Sequence, residues 1–178
     1  MIIRGARETD WEACLELDLS YETEATWQME VVPGSNVRGM AFREIRLPRK
    51  QKVAHPMSFI ATPLKCWQSR DKFWVAVEKR EVIGYIGVRL ETIHNQVRIT
   101  ELGVAPEFRR KGIATALLKT AAEWCIRQHV DQIVLECPIK AHPAISFALK
   151  HRFVFCGFQE SYWSGQEVGL FFRQRLRK

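Results

Sequence analysis

The stretch from Thr100 to Leu118, TELGVAPEFRRKGIATALL, restricts the possible folds more than any other part of the chain. Its first half is apolar and stops at Pro106, which cannot donate to a sheet ladder, so it reads as a strand ending there. Its second half begins a helix predicted over 107–128. Ile113, Ala116, Leu117, Ala121 and Trp124 recur at helical spacing, while Lys119, Glu123 and Arg127 fall on the other side. Gln132 to Cys137 is a short, strongly apolar run of the kind covered on both faces. Strand, helix and strand in this order predict a right-handed crossover between parallel strands 97–104 and 132–137.

The start of that helix carries a chemical expectation. Helix N-termini present unpaired N–H groups at a positive dipole end and bind phosphate readily. Gly112 removes a side chain where phosphates would approach the backbone, and Arg109, Arg110 and Lys111 add positive charge. A basic helix start over a solvated face is the plainer alternative. The preceding strand, Pro106 and the amphipathic helix supply the context a phosphate loop needs, so diphosphate binding is preferred.

Composition narrows the class. A chain of 178 residues, 47% hydrophobic and 26% charged, suits one folded domain over 1–178 with a sizeable core. Absence of a long apolar run, and a start at Met1-Ile2-Ile3-Arg4 unlike a signal peptide, predict a cytoplasmic protein without a membrane partner. Five scattered cysteines without a Cys-x-x-Cys pair read as buried reduced thiols, and five dispersed histidines give no metal-ligand spacing, so no metal is expected. The net charge of +7 suggests a polyanionic partner, either nucleic acid or a small phosphorylated cofactor, or else a solvated basic surface. No nucleic-acid-binding motif accompanies it, so none is expected to bind.

Elsewhere the chain reads as follows. Met1 to Ala6 is an edge strand. Thr9-Asp10-Trp11-Glu12 matches a capping box, with Trp11, Cys14 and Leu15 on one face of the helix it opens. Tyr21 to Glu30, rich in acids and aromatics, continues as a second helical piece. Pro33-Gly34-Ser35-Asn36 is a turn, and Pro48, Pro56 and Pro63 prevent any long helix over 31–70. The basic run Arg43, Arg46, Arg49, Lys50 and Lys52 beside Phe42 either grips an anion or, as the alternation with Ile45 and Leu47 favours, covers a solvated strand face.

Phe73 to Val77 and Val82 to Leu90 read as a hairpin, Gly84 and Gly87 marking a bulge or a close backbone approach. After a turn at His94-Asn95, Val97 to Val104 returns antiparallel. Simple alternation puts Val97, Ile99 and Glu101 on one face, and Arg98, Thr100 and Leu102 on the other. Glu101 is then a carboxylate among apolar neighbours. Pro143 starts a short helix through Lys150. Phe153 to Phe158 and Glu167 to Arg173 close the chain as strands, and Leu170, Phe171 and Phe172 suit either the core or a homodimer contact.

Arg109-x-x-Gly112-x-Ala114 resembles the pyrophosphate loop of the GNAT superfamily of N-acetyltransferases, which use acetyl-CoA. The order of elements matches such a domain from Met1 to about Leu176. The resemblance implies an α/β fold: a mixed, mostly antiparallel sheet with helices on both faces, splayed between two central parallel strands. It further implies that Leu102, Gly103 and Val104 pair with pantetheine amides as an added strand would. Arg109, Arg110, Lys111, Gly112, Ile113, Ala114 and Thr115 would hold the pyrophosphate, and Ala144 and Phe147 of Ala144-Ile145-x-Phe147 would cradle the far arm. Phe153-Val154-Phe155-Cys156-Gly157-Phe158, Tyr162-Trp163 and, more loosely, Leu17-Asp18 with Tyr21-Glu22-Thr23 are similar to the streptothricin acetyltransferase branch. Departures from that branch are Ala141 where Asn is usual, Ala148 where a tyrosine acts as general acid, and Arg152 where Gly precedes Phe153.

Acetyl transfer to an amine needs a proton acceptor, a stabilised oxyanion and departure of a thiolate. Glu101 is the expected base, directly or through water, with an outward, solvated carboxylate or one paired with Arg98 or a lysine as the structural alternative. A backbone N–H near Leu102 to Val104 is expected to meet the oxyanion. Tyr162 either replaces the missing acid or packs beside Trp163. His142 either stands in for the missing Asn or caps its helix. Glu16, Asp18, Glu22, Glu24 and Glu30 give the acceptor-side region a negative character, which suits a small cationic amine. The expectation is an acetyl-CoA-dependent N-acetyltransferase using direct attack in a ternary complex. Ala141 and Ala148 motivate the alternative of a CoA-binding sensor without efficient turnover.

Overall fold

The computed structural model describes residues 1–32, 39–54, 70–163 and 166–176. The turn expected at 33–36, Pro56, Pro63 and Cys66 lie outside the described residues. In chain order the elements are β1 (Ile2–Gly5), α1 (Trp11–Glu16), β2 (Tyr21–Val32), β3 (Gly39–Val53), β4 (Lys72–Glu78), β5 (Glu81–Glu91), β6 (Gln96–Val104), α2 (Ile113–Arg127), β7 (Gln132–Pro138), α3 (His142–Lys150), β8 (Val154–Trp163) and β9 (Glu167–Arg175). The main sheet has the order β1-β4-β5-β6-β7-β9-β8, and β2 with β3 makes a separate pair. Every neighbouring pair in the main sheet is antiparallel except β6 and β7, as the crossover requires.

Both faces of the sheet are covered. On one, Ile113, Leu117, Ala121 and Trp124 of α2 and Ile145 and Ala148 of α3 meet Ile86, Val97, Ile99, Ile133 and Phe172 in the main core. On the other, α1 contributes Cys14 to a smaller cluster with Val75 and Tyr85. Leu170 and Phe172 are fully buried, so the last strand serves the core. The β2–β3 pair leans on the main core through Trp27, Met29 and Phe42, and the Trp27 amide donates to the Ile139 carbonyl at 3.2 Å.

Four local expectations are corrected. Residues 21–30 are strand, not helix: Thr23 is buried and Trp27 and Met29 pack inward, while Glu22, Glu24 and Gln28 are exposed, a period of two rather than 3.6. Pro48 fits because pairing jumps from Gln51 opposite Thr23 to Arg46 opposite Ala25, leaving residues 47–50 outside the ladder. The long helix begins at Ile113 rather than 107. Pro106–Phe108 makes one 3-10 turn, and left-handed φ values at Arg110 (64°) and Gly112 (86°) bar helical continuation. Thr9 does not cap α1: it lies inside a 3-10 turn over Glu8–Asp10, where the Asp10 carboxylate reaches back to accept from the Arg7 amide at 2.7 Å.

The fourth correction bears on the site. Register between β5 and β6 slips where Gly87 opposes Glu101 and Val88 opposes Ile99, so Thr100 is an extra residue. One inserted residue reverses the alternation beyond it. Val97 and Ile99 face the main core, and past the bulge Leu102 and Val104 do so instead. Glu101 therefore leaves the apolar face predicted for it. A Cβ on Gly87 would collide with the Glu101 carboxylate and the Thr100 hydroxyl, which explains glycine at that position.

Candidate active site

Parallel pairing of β6 with β7 ends at Ile99 and Leu135. Strands that twist while sharing no further bonds diverge. The wedge so opened is a cleft of about 530 Å³, lined along β6 by Glu101, Leu102, Gly103 and Val104 and along β7 by Leu135, Glu136 and Pro138. The β7-facing edge of β6 past Ile99 has no strand partner among the described residues, so its amides and carbonyls are available to an extended ligand. Leu19 closes over Gly103, where an added Cβ would come within 2.6 Å of it.

One end of the cleft is the entry to α2. Gly112 caps the helix in the left-handed conformation, and a Cβ built on it meets nothing within 4 Å. Among the described residues, none accepts a hydrogen bond from the amides of Gly112, Ile113, Ala114 or Thr115. Four successive N–H groups at a helix start, beside a residue without a side chain, make a fitting seat for a diphosphate. Arg110 lines this end, but Lys111 turns away, its ammonium 4.9 Å from the centre of the Phe108 ring. Arg109 is committed elsewhere: its guanidinium donates to the carbonyls of Val104 (2.9 Å), Ser20 (2.7 Å) and Asp18 (2.8 Å).

Ala144 and Phe147 of α3 face the cleft, as does His151, whose Nε2 lies 3.0 Å from the Thr115 hydroxyl. Burial and the neighbouring Lys150 charge lower the His151 pKa, favouring neutral imidazole. Ala141 lines the cleft, whereas Ala148 is fully buried in the main core. Arg152 adopts φ 60°, the conformation a glycine would take most easily, and Phe153 follows into the core. His142 points to Glu44 at 3.3 Å and Ser146 at 3.5 Å and does not line the cleft.

At its other end the cleft meets a second cavity of about 820 Å³, and Thr100, Glu101, Glu136 and Trp163 line both. This second space is strongly charged. Arg70 Nε donates to Glu101 Oε2 at 2.5 Å, a second guanidinium nitrogen pairs with Oε1, and the Thr100 hydroxyl adds another bond at 2.5 Å. Both charged side chains of that pair are 6% exposed. Across the cavity, Arg98 bridges Glu91 (2.6 Å) and Glu136, and Tyr162 donates to Glu136 at 2.5 Å. Burial works against ionisation of Glu91, but hydrogen bonds from Arg98 and Gln96 prevail and lower its pKa.

Several expectations sort themselves on this geometry. Glu101 stands at the junction, paired with Arg70 and not with Arg98. Tyr162 belongs to the second cavity, with its ring edge-on to Trp163 at 5.2 Å. The acidic residues of 16–30 line neither cavity, and Glu22 and Glu30 pair with Lys50 and Arg43 of the basic run. Cys137 is buried, its thiol pushed up to about 12, while Cys156 is exposed, contrary to the expectation of buried thiols throughout. Sequence reasoning passed over Glu136, although a lone charge inside the apolar run Ile133 to Cys137 was a usable signal.

Known proteins share this fold. The chain is 26% identical over 166 residues to streptothricin acetyltransferase of Streptomyces lavendulae, covering 91% of this chain and 86% of that one. It is 30% identical over 93 residues to streptothricin acetyltransferase A of Bacillus subtilis strain 168, covering 50% of this chain and 53% of the relative. The crystal structure of nourseothricin acetyltransferase superposes with a TM-score of 0.85 at 20% identity over 99% of this chain and 98% of that one. A Bacillus anthracis str. Ames protein solved in complex with acetyl coenzyme A superposes at 0.74, with 19% identity over 98% of both chains. The sequence pattern of the acetyltransferase (GNAT) family matches residues 40–153, and the chain belongs to that family.

Proposed function

We propose that this protein is an acetyl-CoA-dependent N-acetyltransferase that acetylates a small cationic amine, of aminoglycoside or streptothricin type, by direct attack in a ternary complex. The observation carrying this reading is the meeting of two dissimilar cavities at Thr100, Glu101, Glu136 and Trp163. One offers unpaired amides and a free strand edge, suited to a diphosphate and a pantetheine arm. The other is lined by arginine-held carboxylates and the Tyr162 hydroxyl, polar partners for an amine.

In this reading Gly112, Ile113, Ala114 and Thr115 hold the diphosphate through their amides, with Arg110 adding charge. Arg109 supports them indirectly by tying the chain at 18–20 to the end of β6. Leu102 to Val104 pair with the pantetheine, and Ala144 and Phe147 form the opposite wall. Glu101 is the proton acceptor. Of roughly four lone-pair sites on a carboxylate, Arg70 and Thr100 fill all but one of Glu101's. The remaining site can accept one N–H, or one water that relays the amine proton. Similar proteins named for streptothricin support the cationic acceptor.

The test is thiol release on incubation with acetyl-CoA and a panel of amines. A sensor would bind acetyl-CoA and release nothing, and that outcome overturns the enzyme reading. Replacing Gly112 with valine puts a side chain into the open space and disfavours the left-handed backbone. We expect the KM for acetyl-CoA to rise about 10- to 100-fold, the equivalent of one or two charge-assisted hydrogen bonds. An unchanged KM removes the loop from the mechanism.

A further inference from the structure

Resting on the reading above, we infer that the Tyr21 hydroxyl, together with the Trp163 indole N–H, binds the acyl oxygen of the thioester and stabilises the oxyanion formed when the amine attacks. Both side chains line the cofactor cleft. Both carry a buried donor, Tyr21 Oη and Trp163 Nε1, without a hydrogen-bond partner among the described residues. A buried donor left unmatched is costly, so two on residues that line one cleft point to an acceptor that arrives with the ligand.

With the β6 amides given to the pantetheine, elimination among the side-chain donors of the cleft leads to the same pair. The Thr100 hydroxyl is spent on Glu101, Thr115 faces His151, and Ser146 faces His142. The Arg109 guanidinium is held by three carbonyls, one on each of its nitrogens. Arg110 and Lys150 lie toward the α2 end, near Gly112 and His151. Trp163 is the cross-strand partner of Glu167, and the Glu167 charge also acts on the Tyr21 phenol. Trp163 further lines the junction with the second cavity, beside Glu101 and Glu136. Burial pushes the Tyr21 phenol upward, so the hydroxyl keeps its proton and serves as a fixed donor.

The step balances without a further reactant. The amine lone pair forms the C–N bond, and the C=O pair moves onto oxygen, where Tyr21 and Trp163 donate to it. That pair returns as the C–S bond breaks, its electrons leaving on sulfur. The amine proton passes through the Glu101 site to solvent, and the thiolate takes a proton from solvent. Donors placed where charge develops act most strongly in the transition state.

The test compares wild type with Tyr21→Phe, which deletes the hydroxyl alone, and with Trp163→Phe. Calorimetry with acetyl-CoA and with CoA reads the acyl oxygen directly, because CoA lacks it. Wild type should prefer acetyl-CoA about 3- to 10-fold, one net hydrogen bond, and Tyr21→Phe should lose that preference. Its kcat should fall about 100-fold, and its melting temperature without ligand should hold or rise, since an unmatched polar group has gone. No preference in wild type, or a preference and kcat within twofold of wild type in Tyr21→Phe, overturns the inference. Wild-type protein that prefers acetyl-CoA yet releases no thiol with any amine refutes the acetyltransferase reading, and the two affinities still decide the role of Tyr21.

Discussion

Asp10 is 7% exposed between β1 and α1, where Arg4 grips its carboxylate through two nitrogens at 2.6 and 2.8 Å and the Arg7 amide adds a third bond. The Arg4 hydrogen bonds hold its pKa below the ordinary value of 3.8, against the opposing effect of burial. A carboxyl whose folded pKa is depressed stabilises the fold above its unfolded pKa, and that contribution disappears as pH falls through the folded value. Asp10→Asn should therefore cost about 1–3 kcal/mol at pH 7. The difference from wild type should shrink as pH drops below about 4, as urea unfolding at pH 7 and pH 3 will show. An equal difference at both pH values would mean that packing, not charge, fixes Asp10. The same neighbourhood shows what a sequence hides at this scale. Thr9-x-x-Glu12 satisfies the capping pattern on paper, but the Arg4–Asp10 contact, six residues apart, supplies stronger charge-assisted bonds and wins. Glu101 was legible as an anomaly, yet its face was not, because an inserted residue such as Thr100 leaves no compositional mark.

At the level of elements, legibility followed local signals. The β4–β5 hairpin, the crossover through α2 and the closing β8–β9 pair were readable because turn residues and periodicity agreed. At the hairpin tip, Lys79 and Arg80 both take positive φ. The α2 entry was misjudged because its left-handed residues include Arg110, which no propensity would place there. The strand β2 was missed because its short alternation is broken by the bulge after Thr23. Arg109 joins these elements: one guanidinium fixes the end of β6 to the carbonyls of Asp18 and Ser20, which lead into Tyr21. Its planar fork is what a lysine lacks. Arg109→Lys should thus lose about 1.5–3 kcal/mol of stability and lower kcat as well as raise the KM for acetyl-CoA, because Leu19 and Tyr21 move with the released segment. A lysine variant with wild-type stability and kcat would reduce Arg109 to a surface charge.

Across the whole molecule, the net charge of +7 is not spread as composition alone suggests. Arg43 and Lys50 of β3 are paired with acids of β2, and Arg70 and Arg98 are paired inside the second cavity. Besides Arg109, which is held by carbonyls, the cleft around the α2 entry is lined by the exposed cations Arg110 and Lys150. In the proposed reading an anionic cosubstrate is drawn by exposed charge to one end, while the chemistry proceeds among buried pairs at the other. Salt separates the two, since the screening length falls from about 10 Å at 0.1 M to about 3 Å at 1 M and buried pairs are screened far less. Over that range the KM for acetyl-CoA should rise severalfold while kcat at saturation stays level. The variant Arg110→Gln with Lys150→Gln should begin with a higher KM and show a much flatter salt dependence. If the doubly substituted protein keeps the wild-type slope, attraction comes from diffuse surface charge and the α2 entry supplies only its amides. If kcat falls with KM, the junction at Glu101 and Glu136 is more open to solvent than its burial indicates.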